Sequence, residues 1–215
     1  MLFLAKFRLP LAFALAAMVF YSAGQSLAQE KTPTKEEAAA ADLSLEDIID
    51  GKADAPVTIY EYSSFTCPHC ANFHKEVYPT LKKKYIDTGK VKIIFRAFPL
   101  DPLAAAASML TRCIDPKNYY AFVDLLFKQQ KSWAYSNSPV DSLRKISLQA
   151  GLSSESFDKC LTNQKLLDGI LKIKDTAAKV LEINSTPTFD VNGEVIRGGM
   201  PLKDFEKLIR AKLRK

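Results

Sequence analysis

Four consecutive residues, Cys67-Pro68-His69-Cys70, carry the most legible chemistry in this chain. Two thiols separated by two residues can close a small disulfide ring and open it again. An alternating run rich in β-branched and aromatic residues, Val57 to Tyr62, precedes the motif, and a helix-compatible stretch follows it. A cysteine where a helix begins faces backbone N–H groups without an intrahelical partner and the positive end of the macrodipole. Both stabilise a thiolate. Cys67 is therefore the expected nucleophile, and Cys70, one turn further in and more shielded, its resolving partner. Pro68 suits the first helical position because no N–H is needed there. His69 can place a charge or a donor near the sulfur.

Other chemistries of the motif are less well supplied. A four-ligand zinc shell needs a second C-x-x-C or a paired-histidine cluster, which the sequence lacks, and haem attachment needs His where Ala71 stands. A soft ion such as Cu(I) could be held by the two thiols with help from His69, but no Met-rich or His-rich loop accompanies them. A static disulfide over so small a ring would remove little entropy from the unfolded chain.

The N-terminus bears on the redox setting. Lys6 and Arg8 precede an apolar run from Leu9 to about Tyr21, and small residues at Ser26 and Ala28 suit cleavage after Ala28, so residues 1–28 read as a secretory signal peptide. The apolar run is shorter than the roughly 20 residues that span a bilayer comfortably. Cleavage removes two cations and no acid, lowering the net charge from +6 to +4. So mild a charge, spread over mixed Lys and Glu stretches, gives no sign of a nucleic-acid partner. Residues 29–42 are polar and Ala-rich and read as a flexible leader.

An exported chain meets an oxidising compartment, where its four cysteines count as potential disulfides. Pairing of the neighbours Cys67 and Cys70 leaves Cys113 with Cys160, a structural bridge contributing on the order of 3 to 4 kcal/mol if unstrained. Two unpaired buried thiols are the alternative for that second pair.

The elements that must position these residues follow in order. Val57 to Tyr62 is a core strand; Cys67 to about Asp87 is helical, with Phe73, Val77, Leu81 and Tyr85 on one face and Pro79 interrupting it. His74 is expected on the exposed face, without a role. Lys90 to Phe98 forms a second, parallel strand. Helical stretches then occupy roughly 103–113, 116–130, 139–150, 154–161 and 164–182, the last with an inward stripe of Leu167, Ile170, Leu171, Ala178 and Leu181. Pro187 to Val191, Asn192-Gly193 and Glu194 to Arg197 make a hairpin, and a closing helix from about Pro201 turns Leu202, Phe205, Ile209 and Leu213 inward.

This order of elements, with Glu61-Tyr62-Ser63-Ser64-Phe65-Thr66-Cys67-Pro68-His69-Cys70 as its most specific text, resembles the DsbA-like form of the thioredoxin superfamily. The resemblance implies an α/β thioredoxin fold with an inserted all-helical domain. Its first part spans 43–99, the insert 100–182 and its second part 183–215. It also implies that Thr186-Pro187 forms a cis-proline loop beside the dithiol and binds substrate backbone. Glu61 matches a buried acid that assists proton movement at the inner cysteine.

The activity so implied is thiol:disulfide oxidation of exported proteins in the periplasm. The redox-active Cys67-Cys70 disulfide serves in place of a metal or organic cofactor. The partners are unfolded or folding proteins with free cysteines and a membrane-embedded protein that reoxidises the dithiol. Thr186 before the proline also occurs in isomerase-like relatives, so an isomerase or reductase of the same fold is the near alternative. A copper-binding chaperone or a binding module without turnover are the distant ones. Phe65 and Met200 are candidates for apolar surface around Cys67.

Overall fold

The computed structural model describes residues 45–214, so the expected signal peptide and the whole of the leader lie outside the described residues. One sheet organises them, with strand order β1-β3-β2-β4-β5. β2 (Val57–Ser63) runs parallel to β3 (Val91–Ala97), with Ile59 opposite Ile93 and Glu61 opposite Phe95. β4 (Thr188–Val191) and β5 (Glu194–Arg197) add antiparallel, and the two-residue β1 (Ile49–Asp50), which the sequence pattern did not suggest, pairs antiparallel with β3. The Asn192-Gly193 turn has both residues at positive φ, 48° and 84°, as a tight hairpin requires. Asn192 is further held by accepting from the Thr58 N–H at 2.7 Å.

Between β2 and β3 runs α1, residues 68–86, in which α-helical turns (Pro68–Asn72, Tyr78–Leu81) alternate with π-helical ones (Phe73–Val77, Lys82–Ile86). Pro79 has no N–H to give the preceding turn. The chain does not break there: the Tyr78 N–H reaches back to the Phe73 carbonyl, five residues away, and the helix continues. The underwound turn has a second consequence. Besides the expected Phe73, Val77, Leu81 and Tyr85, it turns His74 and Tyr78 into the core. His74 is 1% exposed, so its expected place on the solvent face is corrected.

Residues 102–180 are helical. They form α2 (Pro102–Cys113), a 3-10 turn at Pro116–Asn118, α3 (Tyr119–Lys128), α4 (Gln130–Ala134), α5 (Pro139–Gln149), α6 (Ser154–Leu161) and α7 (Gln164–Val180). The single helix expected over 116–130 is divided, and α4 is an element the periodicity did not separate. In α7 the buried face is Ile170, Ile173, Thr176 and Ala177, while Leu171 and Ala178 are exposed. Leu171 belongs instead to a surface groove with Pro99, Leu100 and Met109. The closing α8 (Leu202–Lys212) buries Phe205 and Ile209 against Phe73 and Phe189 on one side of the sheet. On the other side Tyr62 and Phe98 pack with Ala177, Leu181 and Ile183. A third apolar cluster, centred on Trp133, Phe122 and Phe127, joins the helices to Phe65, Cys67 and Cys70. At about 1.5–3 kcal/mol for each large side chain buried, this cluster anchors the dithiol loop to the helices.

Candidate active site

β2 delivers Glu61 and Ser63 from the centre of the sheet, and the turn Ser64–Thr66 leads directly into α1. Cys67 is the residue just before the helix, with extended backbone (φ −80°, ψ 120°); its carbonyl accepts the Ala71 N–H at 3.2 Å. Pro68 occupies the first turn, and both Pro68 and His69 are exposed. Cys67 and Cys70 carry free thiols. Cys67 is 6% exposed and lines a groove of about 610 Å³ with Thr66, Leu100, Asp101 and Tyr135; Cys70 is fully buried.

The two sulfurs differ in acidity as their positions dictate. A hydrogen bond from the Cys70 thiol, with further donation from Thr186 and from the backbone N–H groups of Cys70 and His69, outweighs the opposing effect of burial. The Cys67 pKa is held down at about 5. His69 thus contributes through its backbone; its ring points outward. Burial pushes the Cys70 thiol well up, and the hydrogen bond and charge shared with Cys67 push it the same way. Only the Ser63 hydroxyl and the Ser64 backbone pull it down.

Thr186-Pro187 is a cis peptide beside this pair. The Thr186 carbonyl accepts from the Cys67 thiol at 3.4 Å, and the buried Thr186 hydroxyl faces the sulfur without a nitrogen or oxygen partner. The carbonyl is the kind of backbone acceptor a substrate strand could share.

Glu61 is 1% exposed. It is enclosed because β2 is a central strand covered on both faces, so the ordinary fate of a strand carboxylate, hydration, is closed to it. Its oxygens accept from the Ser63 hydroxyl at 2.5 Å and lie 3.0 and 3.2 Å from His74 Nε2. Phe65, proposed from the sequence as surface, is fully buried between Phe95 and Phe127, and Met200 is partly buried against the α8 cluster. The apolar rim beside Cys67 is instead supplied by Leu100, Pro102 and Leu103.

Nothing in the residue pattern marks the clamp that the helices place on the loop. Gln130 of α4, 3% exposed, donates to the carbonyls of Phe65 and Cys67 at 2.8 and 2.9 Å. The Tyr135 hydroxyl donates to the Thr66 carbonyl at 3.0 Å, and the Thr66 hydroxyl donates to Asp101, which also caps α2. Cys113 at the end of α2 is disulfide-bonded to Cys160 of α6, across 47 residues of sequence. Among the described residues no group of three or more His, Cys, Asp or Glu is arranged to hold a metal ion.

Comparison with known proteins agrees with this geometry. A thioredoxin family model matches residues 43–211. A protein from Rickettsia typhi described as a putative protein-disulfide oxidoreductase is 36% identical over 148 residues, which are 68% of this chain and 55% of that one. This chain thus spans little more than half the relative's length. A probable disulfide bond formation protein D from Bacillus anthracis is 32% identical over 173 residues, covering 75% of this chain and 74% of the relative. Among solved structures, alpha-DsbA1 of Wolbachia pipientis superposes with a TM-score of 0.76 at 33% identity, covering 85% of this chain and 96% of that one.

Proposed function

The chain belongs to the DsbA-like thiol:disulfide oxidoreductases of the thioredoxin family, and on that premise we propose that it is an exported oxidant that introduces disulfide bonds into translocated proteins. The observation that carries this reading is the unequal pair: Cys67 before the helix, its pKa held down at about 5, and a buried, weakly acidic Cys70 one turn in. In the disulfide form, a client thiolate attacks the accessible sulfur of Cys67. The Cys67–Cys70 bond breaks, the electron pair goes to Cys70, and a mixed disulfide forms. A second client thiolate then attacks the client sulfur, closing the client disulfide and expelling Cys67. Because Cys67 leaves as a comfortable thiolate, the reduced enzyme is the favoured product and electrons flow from client to enzyme. The Thr186 carbonyl and the groove past Leu100 and Tyr135 supply backbone and apolar contacts for an extended client segment.

In this reading the redox group is the disulfide itself, and no metal or organic cofactor takes part. Export by residues 1–28 places the protein in the periplasm, where its clients are folding proteins with free cysteines. A membrane-embedded partner then returns the dithiol to the disulfide. The test is equilibration of the protein lacking residues 1–28 with glutathione. The reading expects a potential more oxidising than about −200 mV. A value near that of thioredoxin, about −270 mV, would reassign the protein as a reductase or isomerase.

A further inference from the structure

His74 and Glu61 face each other in the core with no solvent contact, both 1% exposed, Nε2 to Oε1 3.0 Å. The imidazole stacks on Phe127 at 4.2 Å, edge-on to Phe73 and beside Tyr78. Its Nδ1 is buried and, among the described residues, has no hydrogen-bond partner. A histidine placed only for packing would be expected to satisfy both nitrogens, since a buried orphan is costly. The chain leads onward: the Ser63 hydroxyl bonds Glu61 at 2.5 Å and also bonds the Cys70 sulfur. A hydroxyl can donate to one neighbour while it accepts from the other, so Ser63 joins the Cys70 sulfur to Glu61 in one path.

We propose that His74 is a positioning residue that keeps Glu61 able to accept the proton of Cys70, through Ser63, whenever Cys70 must attack. The inference rests on the reading above only in requiring exchange at Cys67 and Cys70. Burial away from water penalises a lone carboxylate, which then depends on nearby donors. His74 Nε2, 3.0 Å from Oε1, is placed to be one. When a mixed disulfide on Cys67 is resolved, the Cys70 thiol gives its proton to Ser63, whose own hydrogen passes to the Glu61–His74 pair. The Cys70 thiolate then attacks Cys67 Sγ, the Cys67–Cys70 bond forms, and the bound thiol departs with the electron pair. In the opposite direction the pair returns that proton to Cys70.

The other titratable groups around the pair do not compete. Tyr78, Tyr119 and Tyr120 feel the charge of Glu61, and burial pushes all three phenols above their usual range. Behind them Asp50 accepts from Tyr78 and Lys82. The hydrogen-bonded path from Cys70 therefore runs through Ser63 to Glu61 and His74.

The experiment follows the lifetime of the Cys67–glutathione mixed disulfide, formed from the reduced protein and excess oxidised glutathione and read by acid quench and mass spectrometry from pH 5.5 to 9. His74→Leu, which withdraws the donor from Glu61, should lengthen that lifetime about tenfold at neutral pH, and His74→Gln, which restores a donor, should recover most of the wild-type rate. The deficit in His74→Leu should shrink as pH rises and hydroxide takes over. Ser63→Ala should do the same, and its double variant with His74→Leu should be no slower than either single one. Wild-type lifetimes in His74→Leu, a deficit independent of pH, no recovery in His74→Gln, or multiplicative losses in the double variant would overturn the proposal. If His74→Leu does not fold, His74→Phe, which keeps a ring against Phe127 without the donor, decides by the same pH dependence. The oxidant reading stands or falls separately, on the glutathione potential of the wild type.

Discussion

Cys67–Cys70 and Cys113–Cys160 belong to the same body of apolar packing, yet their surroundings assign them opposite work. The first pair sits where a strand turns into a helix, with free backbone donors above one sulfur and a Ser63–Glu61–His74 chain beneath the other. Its short spacing does little for stability, and its environment splits the two acidities far apart. The second pair links the end of α2 to α6, with the Met109 carbonyl 3.3 Å from Cys160 Sγ. Its long spacing makes it a constraint on the unfolded chain. Sequence separation sets what a disulfide does for folding; backbone termini and buried polar groups set whether it reacts.

The contrast can be broken most sharply by removing each pair in turn. Cys67→Ser should abolish oxidation of a reduced test protein, whereas Cys113→Ser with Cys160→Ser should leave the exchange rate within about twofold and lower denaturant stability by up to about 4 kcal/mol. A large loss of rate in the second variant at a temperature where it remains folded would show that the staple positions the site after all.

The next effect in size concerns Cys67 itself. Its alkylation by iodoacetamide in the reduced protein should have a midpoint near pH 5, against about 8.5 in the unfolded chain. The sign follows from linkage. A group whose folded pKa is depressed stabilises the folded dithiol fully above its unfolded pKa and loses that contribution as pH falls through the folded value. The reduced form should therefore lose this advantage between about pH 8.5 and pH 5. A midpoint near that of the unfolded chain would erase the distinction between the two pairs.

Much of this was legible in the residues. The Cys67-Pro68-His69-Cys70 text after a β-rich run fixed the strand-to-helix placement, and Asn192-Gly193 fixed the hairpin, because both depend on local backbone demands. The burial of Glu61 was not legible locally, since it follows from β2 being central, a property of sheet order. The place of His74 is hidden for a specific reason: four-residue steps from Phe73 to Val77 leave it off the apolar stripe, whereas the chain there forms a π turn ahead of Pro79 that buries it beside Phe73. Gln130 left no trace either, because a single amide in a polar Lys-Gln-Gln-Lys stretch looks like solvated surface until α4 is seen lying against the Cys67 loop.

Gln130 also gives the smallest and most discriminating test of where one region ends and the other begins. It comes from the helical insert, and its amide donates to the reactive loop, to the carbonyls on either side of Thr66. Gln130→Leu keeps most of the volume and withdraws both donors. The Cys67 carbonyl retains the Ala71 N–H, so its loss is partial, whereas the Phe65 carbonyl is left buried, at a cost of roughly 1–3 kcal/mol. That cost resembles the lower range for the staple, but the two changes differ in what else they move. With Gln130 gone, the residue before the helix can drift from the backbone donors that hold its thiolate. The alkylation midpoint of Cys67 should then rise and exchange should slow several-fold, whereas removal of Cys113–Cys160 leaves both where they were. An unchanged midpoint in Gln130→Leu, with stability lowered, would make α4 a support for the loop's fold and not for its chemistry.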